Sequence, residues 1–142
     1  MRKNILICPL NWGLGHATRC VPIIRELLKS EHNVIIAADK APLAFLQKEF
    51  PDLKSIRFPG FEPVYSESNS QVFKLLKSIP NALINFKKEH KTIEKIVDDY
   101  NIDLIISDNR FGCWSKKVHS IYITHQLHIQ VPKYLQWTYP IV

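Results

Sequence analysis

The sequence predicts an α/β fold in which helices cover both faces of a parallel sheet. Short, continuously apolar runs such as Val34-Ile35-Ile36-Ala37 are typical of strands that are buried on both faces. They alternate with longer segments whose apolar residues recur every three or four positions, the period of an amphipathic helix. A glycine-containing turn around Gly13 and Gly15 joins the first apolar run to the first helical one. Together these features indicate repeated strand–helix units.

Five strands and four helical segments are predicted along the chain. The strands are the apolar-rich runs at residues 5–8, 34–37, 55–58, 102–107 and 120–124. The helical segments are residues 17–30, a segment between Asp39 and Phe50, and residues 72–79 and 81–100. Asp39 is positioned to cap the second helix, Pro22 to fall in the first turns of the first, and Pro80 to break or kink the chain between the last two. One helical turn is also predicted over residues 113–117.

The predicted strand order brings polar residues to one edge of the sheet. Right-handed crossovers give a Rossmann-like parallel sheet of order 3-2-1-4-5, with the short and more polar third strand at an edge. Ligands of such sheets bind outside the carboxyl ends of the strands, at the switch point between strands 1 and 4. His16 follows the first strand, Asp108 the fourth and His125 the fifth. We therefore expect His16 and Asp108 in one crevice.

Composition narrows the class of protein. The chain of 142 residues can form one domain with a sizeable core, and 46% hydrophobic and 23% charged residues are ordinary for a globular protein. A net charge of +6 suits an acidic partner, such as a sugar nucleotide or the surface of an anionic membrane. The charges are dispersed without an arginine–aromatic alternation, so nucleic acid is not predicted as a partner.

Neither a membrane anchor nor a metal site is predicted. No apolar run approaches the roughly eighteen residues of a membrane span, and the start of the chain lacks a signal-peptide core, which favours a cytoplasmic protein with at most a peripheral contact at the inner membrane face. The three cysteines have no paired spacing. His16 and Cys20 are four residues apart, but no third ligand follows by spacing, so no metal or cofactor is predicted.

A histidine with an aspartate nearby is suited to base catalysis. The carboxylate orients one ring nitrogen and stabilises the imidazolium that forms when the other nitrogen takes a proton. His16 and Asp108 are the candidates. In the alternative interpretations His16 only caps or packs, Asp108 caps the turn at residues 109–112, and Arg19 either holds an anionic group or pairs with a carboxylate.

The glycine turn also matches part of a dinucleotide-binding fingerprint. Gly13 and Gly15 occupy its first two glycine positions, and Asp39 stands about twenty residues further on. Thr18 replaces the third glycine, however, and four residues separate the strand from Gly13 where that turn should be tight.

The fuller motif resembles a family of enzymes. Gly13-x-Gly15-His16-x-x-Arg19 after a first strand resembles the amino-terminal signature of family 28-type glycosyltransferases of the GT-B fold, which are related to the enzyme that adds N-acetylglucosamine to the lipid-linked peptidoglycan precursor. The longer string Pro9-Leu10-Asn11-Trp12-Gly13-Leu14-Gly15-His16-Ala17-Thr18-Arg19 is similar to a bacterial branch of predicted glycosyltransferases. Ser107-Asp108-Asn109-Arg110 and Ile123-Thr124-His125-Gln126 extend that similarity along the chain.

The resemblance implies a function and a set of site residues. Residues 1–142 would form the single, Rossmann-like N-terminal domain of a GT-B transferase, which binds the acceptor, while a donor-binding C-terminal domain is absent and the fragment alone is inactive. His16 would be the general base and Asp108 its partner. The implied substrate-binding residues are Gly13, Leu14, Gly15, Arg19, Asn109, Arg110, His125 and Gln126. The implied partners are a nucleotide-sugar donor and a glycan or lipid-linked acceptor.

Other functions share this fold. The chain could belong to a two-chain transferase or to a sugar-nucleotide epimerase, both of which need a second domain. It could also be a non-catalytic nucleotide- or dinucleotide-binding module, which would bind its ligand unaided. The apolar tail at residues 127–142 predicts that this end of the chain packs against something further.

Overall fold

The chain folds around one five-stranded parallel sheet. A computed structural model describes residues 1–60 and 71–124, and for residues 71–82 the backbone alone. The elements are β1 (Asn4–Pro9), α1 (Leu14–Lys29), β2 (Asn33–Ala38), α2 (Lys40–Glu49), β3 (Lys54–Arg57), α3 (Gln71–Tyr100), β4 (Leu104–Asp108) and β5 (His119–Ile123). The strand order β3-β2-β1-β4-β5 and the parallel direction of every described pair confirm the predicted topology.

Two apolar clusters lie on opposite faces of the sheet. Because side chains alternate along a strand, Leu6 and Cys8 of β1 face α3, where Ile93 packs with them. The neighbouring residues Ile5 and Ile7 face α1 and α2 and pack with a second set of side chains: Ala17, Cys20, Ile24 and Leu46. Both faces of β1, β2 and β4 are therefore covered, which explains their continuous apolar runs and confirms the prediction of helices on both faces.

The two helical segments predicted on either side of Pro80 are one helix. α3 runs without interruption for 30 residues, so the predicted break is wrong. A proline inside a helix removes a single hydrogen bond and crowds the preceding turn, at a cost of about 3 kcal/mol. A helix of about eight turns keeps its remaining bonds on both sides of that position. The predicted inward face of residues 72–79 lies outside the described side chains.

Two smaller predictions also need correction. Asp39 precedes α2, but its side chain makes no cap hydrogen bond and instead accepts one from Arg57 Nε at 3.0 Å, on the edge strand β3. Residues 113–117 form irregular backbone and a bend rather than a helical turn. There the Cys113 amide donates to the Arg110 carbonyl at 3.2 Å, and the Trp114 amide donates to the Gly112 carbonyl at 3.2 Å. Local bonds of this kind replace a helical ladder.

Pro22 is expected to destabilise the first helix. α1 begins at Leu14, three residues earlier than predicted, so Pro22 lies in mid-helix and is exposed. Pro22→Ala should raise the free energy of unfolding by about 1–3 kcal/mol, because it restores an amide donor and removes a steric clash without loss of packing. Urea denaturation measures this difference. Glu26→Ala, at another exposed position of α1, should change stability by less than about 0.5 kcal/mol. No gain from Pro22→Ala would contradict the argument.

Candidate active site

The site lies where β1 and β4 end side by side. Pro9 pairs with Asp108 in the register of the two strands, and the Leu10 amide donates to the Asp108 carbonyl at 3.0 Å. Gly13 has φ 113°, a backbone conformation that side chains disfavour, and it is the N-cap of α1. The chain can therefore turn directly from the end of β1 into a helix whose first amides have no intrahelical partner.

Three side chains meet at this turn. Asp108 follows Ile106 by two residues on β4 and so faces α1, the helix that carries His16 and Arg19. His16 Nδ1 lies 3.1 Å from Asp108 Oδ2. Arg19 Nε lies 3.2 Å from the same oxygen, and Arg19 Nη2 donates to Asp108 Oδ1 at 2.9 Å. His16 and Arg19 lie together because they are three residues apart on one helix face.

Burial makes the carboxylate depend on these partners. Asp108 is 1% exposed, whereas the side chains of His16 and Arg19 are 13% and 35% exposed. A buried carboxylate is tolerated when a guanidinium binds both of its oxygens, because the two charge-assisted hydrogen bonds replace water. The carboxylate is thus turned toward His16 and Arg19, which disfavours the alternative in which Asp108 caps the following turn.

A crevice opens beside the histidine. It has a volume of about 370 Å³ and is lined by Trp12, Gly15, His16 and Arg19. A side chain added at Gly15 would meet no atom within 4 Å, so the turn leaves open space there. Leu14 and Trp12 are both exposed at this turn. Sequence reasoning gave Trp12 no role, although an aromatic residue directly before the glycines is a signal that could have identified it.

Asn109 and Arg110 point away from this crevice. Asn109 has φ 60° and joins β4 to β5, since its amide donates to the Ile123 carbonyl at 2.9 Å and its Oδ1 accepts a hydrogen bond from the Tyr122 hydroxyl at 3.1 Å. The Arg110 side chain is fully buried on the α3 side of the sheet. The structure therefore does not bring Arg110 to the crevice, and His125 and Gln126 lie outside the described residues.

A buried ion pair supports the turn that follows Asp108. Arg110 Nη2 donates to Glu89 Oε1 at 2.6 Å and to the Pro59 carbonyl at 3.0 Å, while Nη1 donates to the Phe58 carbonyl at 3.1 Å. No role was predicted for Glu89 from the sequence. Its spacing from Phe86 and Ile93 places it on the inward face of α3, and that spacing is the signal that could have revealed it.

Cys20 stays protonated beside the site. Burial, and then the nearby Asp108 carboxylate, raise the pKa of the Cys20 thiol to about 12, so it is neither a thiolate nucleophile nor a ready metal ligand near neutral pH. In the part of the chain that the structure describes, no group of three or more His, Cys, Asp and Glu side chains is arranged to hold a metal ion. None of the helices formed by those same residues is long and apolar enough to cross a membrane.

The fold is shared with solved glycosyltransferases. The chain is similar to the solved glycosyltransferase of kitacinnamycin, with 16% identity and a TM-score of 0.62 over 99% of this chain and 34% of that one. It is also similar to CalG4, the calicheamicin glycosyltransferase, with 11% identity and a TM-score of 0.61 over 97% of this chain and 35% of that one. The chain has the α/β, Rossmann-like architecture of GT-B glycosyltransferases and spans about a third of the length of these two structures.

A match to a family is more specific than this shared fold. The sequence profile of glycosyl transferase family 1 matches residues 3–136, and the chain belongs to this family. A plant structure, Glycyrrhiza uralensis UGT73P12 with glycyrrhetinic acid 3-O-monoglucuronide, shares the fold with 16% identity and a TM-score of 0.51, over 76% of this chain and 24% of that one. No curated protein matches the sequence.

Proposed function

We propose that this chain is the acceptor-binding domain of a glycosyltransferase that moves a sugar from a nucleotide-sugar donor to an acceptor hydroxyl, with His16 as the general base. The observation that carries the proposal is the 3.1 Å contact between His16 Nδ1 and the buried Asp108 carboxylate, at the edge of a crevice. Membership of a glycosyltransferase family supplies the reaction class.

The proposed reaction uses the two nitrogens of His16 differently. When Nδ1 carries a hydrogen and donates it to Asp108, Nε2 holds the lone pair and can take the proton of the acceptor hydroxyl. The resulting oxygen nucleophile attacks the anomeric carbon as the bond to the nucleoside diphosphate breaks, with inversion at that carbon. Asp108 stabilises the imidazolium that results. The nucleoside diphosphate leaves with the electrons of the broken bond.

The turn between β1 and α1 supplies the proposed acceptor contacts. Gly13, Leu14 and Gly15 present backbone close to the crevice, and the first amides of α1 offer donors to polar groups of an acceptor. Arg19 adds a positive charge. Asn109 positions the end of β4 beside these groups. Arg110 is proposed to have a supporting role instead, because it is buried in an ion pair with Glu89.

The donor is proposed to bind to a second domain, in another part of a longer protein or in another chain. The solved glycosyltransferases are about three times as long as the part that this chain matches. The signature around His16 favours a bacterial, family 28-type branch, with a glycan or lipid-linked acceptor. The net charge of +6 suits a cytoplasmic protein that approaches an anionic membrane surface.

Calorimetric titration of the purified chain with nucleoside diphosphate sugars and with NAD tests whether donor binding belongs to a second domain. We expect no measurable binding of either, because donor recognition is assigned to the second domain. Tight binding of a nucleotide sugar would overturn the acceptor-only assignment, and tight binding of NAD would favour a dinucleotide-binding module. Conversion of a nucleotide sugar into its epimer without any acceptor would favour an epimerase instead.

A further inference from the structure

We propose that Arg19 is a positioning residue that decides which ring nitrogen of His16 carries the proton. The inference rests on the proposed role of His16 as the base. Arg19 Nη2 lies 2.9 Å from His16 Nδ1, the same nitrogen that lies 3.1 Å from Asp108 Oδ2. One ring atom therefore contacts both a guanidinium and a carboxylate.

These two contacts require opposite roles of Nδ1: it would accept a hydrogen bond from Arg19 and donate one to Asp108. A guanidinium only donates hydrogen bonds, and an ionised carboxylate only accepts them. In a neutral imidazole, one nitrogen carries the hydrogen and the other carries the lone pair. Nδ1 can therefore accept from Arg19 or donate to Asp108, but it cannot do both.

The choice decides whether His16 can act as a base. If Nδ1 accepts from Arg19, the hydrogen is on Nε2, and Nε2 cannot take a proton from an acceptor hydroxyl. If Nη2 moves away from Nδ1, the ring can place its hydrogen on Nδ1, donate it to Asp108 and expose a lone pair on Nε2. Arg19 thus holds the base inactive in one arrangement and releases it in the other.

In the described arrangement the Arg19 guanidinium is close enough to donate to Nδ1, and we assign the ring hydrogen to Nε2 there, which is the inactive arrangement. The contact from Arg19 to Nδ1 is shorter than the contact from Asp108, and the guanidinium is held in place by its bonds to both oxygens of a buried carboxylate. The Arg19 side chain is nevertheless 35% exposed and lines the crevice, so it has room to move. Because the guanidinium is a rigid plane, moving Nη2 away from Nδ1 would also weaken its bond to Asp108 Oδ1.

Nitrogen-15 NMR of the histidine rings in the 142-residue chain tests the inference, because the shifts of Nδ1 and Nε2 report which one is protonated. In the unaltered chain at a pH where His16 is neutral, we expect the hydrogen on Nε2. In Arg19→Ala and in Arg19→Met, which keeps an apolar stem, we expect it on Nδ1. Arg25→Ala is the matched control, since Arg25 lies on the same helix but pairs with Glu49.

Either of two results would overturn the inference. One is a hydrogen already on Nδ1 in the unaltered chain, and the other is a hydrogen that stays on Nε2 when Arg19 is replaced. A purely structural role for Arg19 would lower stability without moving the proton, so it belongs to the second result. The NMR experiment needs no sugar transfer, and its failure is therefore distinct from a failure of His16 as the base.

Discussion

Glu89→Ala is expected to lower the free energy of unfolding by about 3–5 kcal/mol, because it leaves the guanidinium of Arg110 buried without a counter-charge. The pair lies in a closely packed part of the fold. A Cβ at Gly112 would lie 2.5 Å from Glu89 Cβ, and one at Gly60 would lie 2.9 Å from Arg110 Nη2. Two backbone turns therefore pack closely against the pair. Urea denaturation measures the loss of free energy of unfolding.

A matched variant separates the stability effect of burying the ion pair from the effect of removing a negative charge. Glu94 lies on the same helix and contacts Lys117 at 3.3 Å, in a partly exposed pair. Glu94→Ala should cost less than about 1 kcal/mol. Replacing both members of the buried pair, as in Glu89→Leu with Arg110→Met, should recover part of the stability because no unpaired charge remains. Equal losses from Glu89→Ala and Glu94→Ala would refute the argument.

His16→Ala is expected to lower kcat for sugar transfer by about 10²- to 10⁴-fold, which is the usual contribution of a general base. The measurement uses a protein in which this chain is joined to the proposed donor-binding domain, with kcat and KM determined separately. KM for the acceptor should change little, because the lost group acts on the proton rather than on binding. Asp108→Asn should also lower kcat, since it removes the charge that stabilises the imidazolium.

The control for His16 is another histidine of the same chain. His32 lies at the opposite end of the sheet, where its Nδ1 accepts a hydrogen bond from the Lys3 amide at 3.3 Å. His32→Ala should leave kcat unchanged. If His16→Ala kept a rate within a few-fold of the unaltered protein, the base would have to be sought elsewhere, and the contact with Asp108 would be structural.

The topology could be predicted from sequence because the three central strands, β1, β2 and β4, are buried on both faces. Such strands leave continuous apolar runs, and the right-handed crossover then restricts their order. Helix boundaries were less predictable. α1 starts three residues early because Gly13 adopts a backbone conformation that ends the preceding turn, and α3 continues past Pro80. Neither feature changes the hydrophobic period on which the predictions depended.

The site was predictable only in part, because the backbone changes direction at Asn109. Residues that follow a strand were expected to face the crevice, and Asp108, which continues the alternation of β4, lies buried in contact with two residues that line it, His16 and Arg19. Asn109 then adopts a left-handed conformation, with φ 60°, and Arg110 lies on the opposite side of the sheet. The left-handed backbone at Asn109 therefore separates a carboxylate that contacts His16 from a guanidinium that is buried against Glu89.

The position of Asp108 in the sheet determines how the site is lost when the domain unfolds. β4 lies between β1 and β5, and its last residue is hydrogen-bonded to the chain that leaves β1. Amide hydrogens in such central strands exchange with solvent chiefly when the whole domain opens, unlike those of fraying ends. The carboxylate that contacts His16 is therefore held by the slowest-exchanging part of the fold. Warming would abolish this contact in the same cooperative transition that melts the sheet.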